Sequence, residues 1–195
     1  MNPGDWSDLI ALLEGAKRGL HFGEGLSDAE VQRAEESYGV RFPPDLRAFL
    51  QTALPLGSPF PNWRIADDPI AREAESFVLG GILFDVEQNG VWLPEWGQRP
   101  EQLDDAKALV AEHVKKAPRL IPIYGHRMIP ERPHLNGNPV FSVHQTDIIY
   151  YGFDLDDYFR HEFDLPDRKV WPSRVRSIEF WNPDRWWCRV RKNSR

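Results

Sequence analysis

Residues 26–50, LSDAEVQRAEESYGVRFPPDLRAFL, constrain this chain more than any other stretch. Ser27 is placed as a helix N-cap, and Glu30 stands three residues on to complete a capping box. Leu26 and Val31 flank the cap at the spacing of a hydrophobic staple. Val31, Ala34 and Tyr38 then form one apolar face at helical period. Gly39 permits the left-handed turn that ends the helix. Pro43-Pro44 opens a second helix where an amide needs no partner, with Leu46, Phe49, Leu50 and Ala53 as its buried stripe. A helical pair with both ends specified is thus expected near the start of the fold.

The rest of the chain mixes helix and strand signals. Asp5 is placed to cap a short helix carrying Trp6, Leu9, Ile10 and Leu13. Residues 19–25 read as a loop, and 55–62, with three prolines, as irregular chain. Residues 63–65 read as the start of a strand. Residues 82–93 admit a hairpin turned at Asn89-Gly90 or a short helix ended by Gly90, and the poor alternation of LFDVEQN favours the helix. Residues 103–114 predict a helix stopped before Pro118, residues 120–124 a buried strand, and 130–139 a polar loop. Residues 140–144 and 148–151 predict a β-hairpin. Asp154 caps a further helix, residues 175–181 read as a strand, and Asn182-Pro183 starts a last helix. There is no internal repeat and no regular strand–helix alternation, so the class is α+β, in one domain over residues 1–195.

Charge narrows the partner. The net charge is −6, but residues 168–195 hold nine basic and two acidic residues, while residues 1–167 hold fifteen basic and twenty-eight acidic ones. An acidic body of net −13 with a +7 tail disfavours nucleic acid and favours a basic protein partner. The same acidity also serves solubility alone. In the tail, Arg174, Arg176, Arg185, Arg189, Arg191 and Lys192 interleave with Trp171, Trp181, Trp186 and Trp187. Such a pattern occurs on nucleic-acid surfaces. The preferred reading is that the indoles pack the tail onto the domain while the arginines stay in water. The lone Cys188 excludes an internal disulfide and a cysteine-based zinc site, and fits a reducing cytoplasm. No apolar run is long enough to span a membrane.

Catalytic signatures are missing. No phosphate-binding glycine loop and no Gly-x-Ser-x-Gly elbow occurs. His126, His134 and His144, eight and ten residues apart, match no helical zinc motif, so neither metal nor cofactor is assigned. The paired acids at 67–68, 104–105 and 156–157 each fit a loop or a helix start. What remains is a set of aromatic and charged residues in or beside loops: Trp92, Trp96, His126, Arg127, Asp147 and Tyr150. Tyr, Trp and Arg dominate protein-interface hot spots, and they are also good core residues.

The helical pair resembles the opening of the SUKH superfamily, which includes the yeast Smi/Knr cell-wall-synthesis regulators and many bacterial immunity proteins. The residues that carry this are Ser27 to Glu30, Tyr38-Gly39, Phe42-Pro43 and Phe49-Leu50. VWLPEWG at 91–97, RLIPIYGHR at 119–127 and NPVFSVHQTDIIYY at 138–151 resemble a bacterial subgroup. The resemblance spans residues 26–164, with the basic tail outside its clearest part. Many members have an asparagine- or glycine-rich turn after the second helix, whereas residues 53–57 here are apolar. The resemblance implies a sheet-backed cleft, a non-catalytic cytoplasmic protein and an immunity function against a cognate toxin, often a nuclease in such systems, and the acidic body points to a basic one. The alternatives are a regulatory interaction module of the Smi/Knr type and a hydrolase using His126, His134 and His144 with Asp147. The six residues above are the expected partner-binding set. The oligomeric state is left open.

Overall fold

The capping box at the start of the helical pair forms as read. Ser27 Oγ accepts the Glu30 amide at 3.3 Å, and the Glu30 carboxylate accepts the Ser27 amide at 2.8 Å. Gly39 closes that helix at φ 61°. The computed structural model describes residues 6–167 and 175–190. Asp5, Trp171, Arg174, Arg191 and Lys192 lie outside them, as do the side chains of Trp187 and Arg189. In chain order the elements are α1 Ser7–Glu14, β1 His21–Glu24, α2 Asp28–Tyr38, α3 Pro44–Thr52, β2 Ala53–Leu56 and α4 Pro69–Gln88. A 3-10 turn at Pro94–Trp96 precedes α5 Leu103–Lys116. Then come β3 Leu120–Tyr124, β4 Arg127–Pro130, β5 Val140–His144, β6 Asp147–Gly152, α6 Leu155–Glu162 and α7 Pro183–Val190. The class is α+β, with a four-stranded antiparallel sheet β3-β4-β5-β6 between helices.

That sheet is buried on both faces. Ile121, Ile123, Ile129 and Val140 point into a core with Leu9, Leu13, Val31, Phe49, Leu50 and Phe159. Leu120, Met128, Phe141, Val143 and Ile148 point into a second core with Val78, Ile82, Val86, Val110, Trp181 and Trp186. Double burial is why LIPIY reads as a continuous apolar run and not as an alternation. Each large side chain fully buried here, such as Phe49, contributes about 1.5–3 kcal/mol.

Three local readings are corrected. Residues 19–25 contain β1, which pairs antiparallel with β2 from His21↔Leu56 to Glu24↔Ala53. The apolar segment after α3 is therefore a strand, and its partner is too short, with Gly23 inside it, to signal itself locally. Residues 63–65 form a turn, because the Asn62 side chain accepts the Arg64 amide at 3.1 Å and its carbonyl accepts the Ile65 amide at 3.0 Å. Trp63 instead packs edge-on against Phe42 and Tyr38. Residues 175–181 form no strand: Phe180 sits in a turn at φ 71°, and its carbonyl accepts the Trp186 indole N–H.

Two further elements extend past their expected limits. The helix anticipated from residue 82 begins at Pro69, where Asp68 caps the Ile70 and Ala71 amides. It runs through Gly80-Gly81. The hairpin turn is Gln145-Thr146 alone, since Asp147 already pairs with His144.

Glu30 does more than cap. Its carboxylate also accepts Arg64 Nε at 2.7 Å, while Arg64 Nη2 reaches the carbonyls of Glu24 and Gly25. The Ser27 backbone bond, then Arg64, hold its pKa at about 2 instead of the usual 4.5. A folded pKa below the unfolded one adds stability above pH 4.5 that is lost as pH falls toward 2. Urea unfolding across that window is expected to show a steeper loss for the wild type than for Glu30→Gln, which keeps the cap but cannot titrate. Parallel curves would refute this.

Candidate functional site

Helix α4 crosses the second face of the sheet, and clefts open on both sides of its first half. One, of about 440 Å³, is lined by Ile70, Ala74 and Phe77 of α4 and by Pro122, His126, Met128 and His144. The other, of about 580 Å³, lies between α4, α5 and the end of α2, with Tyr38, Trp63, Val78, Val114 and Trp181 on its walls. Ala74 and Pro122 line both. The charged groups of the larger cleft are largely engaged. Arg119 donates to the Tyr38 and Gly39 carbonyls and pairs with Glu75, and Arg72 pairs with Asp67 and Glu73.

The β5–β6 hairpin is bolted to α4. Buried Asp85 accepts the Thr146 amide at 2.9 Å and the Thr146 hydroxyl at 2.5 Å, and its other oxygen accepts Asn89 Nδ2 at 2.6 Å. The tip passes so close that a Cβ on Gly81 would stand 2.9 Å from the Gln145 Cα. Gln145 itself adopts φ 57° to make the crossing.

Beside the β3–β4 turn, Arg127 ties four elements together. Its Nε pairs with Glu162 of α6 at 3.0 Å and its Nη1 donates to Ser142 of β5 at 2.5 Å. The guanidinium lies 3.6 Å over the Tyr151 ring of β6. His126 Nε2 stands 2.5 Å from Arg127 Nη1, which requires an unprotonated Nε2 to accept. Burial, then the Arg127 and His144 charges, pull the His126 pKa down and favour that neutral form.

The six expected contact residues do not converge. His126 and Arg127 are neighbours at the β3–β4 turn, but Arg127 pairs in register with Ser142 and points to the first sheet face. Tyr150 lies on the opposite face, stacked on Phe141 at 5.4 Å, with its pKa raised by burial and then by Asp184 of α7. Trp92 and Trp96 meet edge-on at 5.3 Å below the tail. Trp96 is buried against Trp186, and the Trp92 N–H is held by the Gly97 carbonyl. Asp147 is exposed at the hairpin tip, opposite His144. Sequence reasoning missed Phe77, Phe84 and Asp85. The signal for the phenylalanines is their seven-residue spacing, legible only once α4 is known to begin at Pro69.

Of the three histidines considered as ligands, His126 and His144 share the smaller cleft, whereas His134 lies in the loop after β4. Among the described residues no group of three or more His, Cys, Asp or Glu side chains is placed to hold a metal ion.

The tail completes this half of the molecule. The Trp181 N–H reaches the Pro118 carbonyl at 2.6 Å, and Arg176 donates to Asn136 and to the buried Asn138. Trp181 and Trp186 are core residues, whereas Arg176 is half-buried on Asn138 and Arg185 is exposed.

A sequence model of the SMI1/KNR4 family (SUKH-1) matches residues 25–192. The chain belongs to the SMI1/KNR4 family (SUKH-1). No curated protein and no solved structure matches it. The SMI1/KNR4 match opens at the hydrophobic staple and runs to residue 192, past the 26–164 span of the clearest resemblance. Among the described residues of this SMI1/KNR4 chain, no helix is long and apolar enough to cross a membrane.

Proposed function

We propose that this SMI1/KNR4-family chain is a non-catalytic protein-binding module that acts in the bacterial cytoplasm as an immunity protein, neutralising a cognate basic toxin by occlusion. The family match over residues 25–192 carries the reading. The acidic balance of residues 1–167 supports it by steering a basic partner inward. The surface around α4 adds exposed aromatics beside a cleft whose charged groups are mostly tied to one another, which suits complementarity better than acid–base chemistry. Within the expected contact set, His126 and Asp147 are exposed and Trp92 and Tyr150 half-buried, while Arg127 and Trp96 hold the surface in shape.

Co-expression with the toxin of a neighbouring gene is expected to rescue growth, and the two purified proteins are expected to form a stable complex. No protection together with no complex would overturn the reading. A complex with a host protein and no protection would give the regulatory function instead.

A further inference from the structure

Among the described residues nothing explains Gly80. Glycine in a helix interior weakens folding about fivefold against alanine. Among the described residues a Cβ on Gly80 would nevertheless meet no atom within 4 Å, whereas at Gly81 the hairpin tip forbids one. On either side of this notch stand Phe77 and Phe84, 47% and 49% exposed. They are two helical turns apart, so they lie on one line of α4 about 10.5 Å long. Positions 77, 80, 81 and 84 are i, i+3, i+4 and i+7, the four corners of the hole that takes a side-chain knob from a facing helix. The Gln145 backbone walls the Gly81 corner and leaves the Gly80 corner open.

Charge decides between occupants. Helix α4 carries Glu73, Glu75, Asp85 and Glu87 against the single cation Arg72, which is already paired with Asp67 and Glu73. Glu73 and Glu87 each lie seven residues from Gly80. A second copy crossing antiparallel at Gly80 would therefore set Glu73 opposite Glu87 at both ends, acid against acid. A helix with lysines or arginines flanking an apolar stripe meets both acids with opposite charge. The surface pairs of Glu73 with Arg72 and of Glu87 with Lys107 are weak enough to exchange.

We infer that the Phe77–Gly80–Phe84 seam of α4 docks a basic amphipathic helix of the protein partner, with one large apolar side chain seated over Gly80. This rests on the protein-binding reading above and names the chemistry of the partner's contact element.

The test uses two synthetic peptides of about 18 residues with the same helical pattern, one of Leu and Lys and one of Leu and Glu. Each is titrated into the full chain and followed by amide NMR shifts. The Leu/Lys peptide is expected to bind in the micromolar range with its largest shifts at residues 77–84, and the Leu/Glu peptide about 30-fold more weakly or worse. Gly80→Leu is expected to fold with an unchanged or higher Tm and to lose about tenfold or more in affinity, because the notch is filled. Should that variant fail to fold, Phe77→Asp at an exposed position gives the same reading. Equal binding by wild type and variant, or shifts centred elsewhere, would overturn the inference. So would a concentration-dependent dimer in sedimentation that Phe77→Asp dissolves, since the occupant would then be a second copy. Protection from the toxin without peptide binding sinks this inference alone. Seam binding without protection sinks the immunity function alone.

Discussion

Arg127→Met is expected to destabilise the fold by about 3–5 kcal/mol. The guanidinium and its partner Glu162 are 14% and 10% exposed, so the carboxylate would be left charged and largely dry. Methionine keeps an aliphatic stem against Tyr151 but donates nothing to Glu162, Ser142 or His126. Adding Glu162→Gln removes the stranded charge and is expected to recover about 2 kcal/mol or more. Urea denaturation of the two single variants and the double variant measures this. A single-variant cost below about 1 kcal/mol would show that the guanidinium does not hold β4, β5, β6 and α6 together. The contrast bears on function, because a residue kept only for partner contact would lose binding at unchanged stability.

The second large effect is expected from Asp85→Ala, again at about 3–5 kcal/mol. The substitution strands the Thr146 amide and hydroxyl, both buried, and releases Asn89 Nδ2. Its signature should be local as well as global. Hydrogen exchange at residues 144–147 is expected to accelerate more than at β3 or β4, since the bolt holds only the tip. Asp85→Asn, with one acceptor oxygen in place of two, is expected to cost about half as much. A loss under about 1 kcal/mol for Asp85→Ala, or uniform exchange across the sheet, would refute the anchoring. Because the tip carries His144 and Asp147 and walls the Gly81 corner of α4, this variant is also expected to blur the proposed docking face.

The elements legible beforehand were those whose signals lie within a few residues of one another. Ser27 with Glu30, Asp154 with Asp157, and Asn182 with Asp184 are caps closed over two or three positions. The apolar period of α5 and the hairpin of β5 and β6 belong to the same class. Helix α4 was half legible: its C-terminal part was read from residue 82, but its start at the Asp68 cap was not. Only the close passage of Gln145 gives Gly81 a reason to be there. Strands β1 and β2 were not legible, because four residues with a glycine or a proline inside become a strand only when the other one lies alongside.

The expected contact set shows the same boundary. Its residue types were chosen as interface formers, and the aromatics among them serve a core equally well. Strand alternation then sends Arg127 and Tyr150 to opposite faces, and the tail covers Trp96. By itself the chain determined the capped ends of α2, α6 and α7, the β5–β6 hairpin, its α+β class and its family, since these depend on neighbours in sequence. Tertiary structure alone decided which side chains meet. Asp85 and Thr146 are 61 positions apart, and Trp181 and Pro118 are 63 apart. Such pairings are selected by the packing of two cores against one sheet, where a buried donor must find an acceptor wherever the fold brings one.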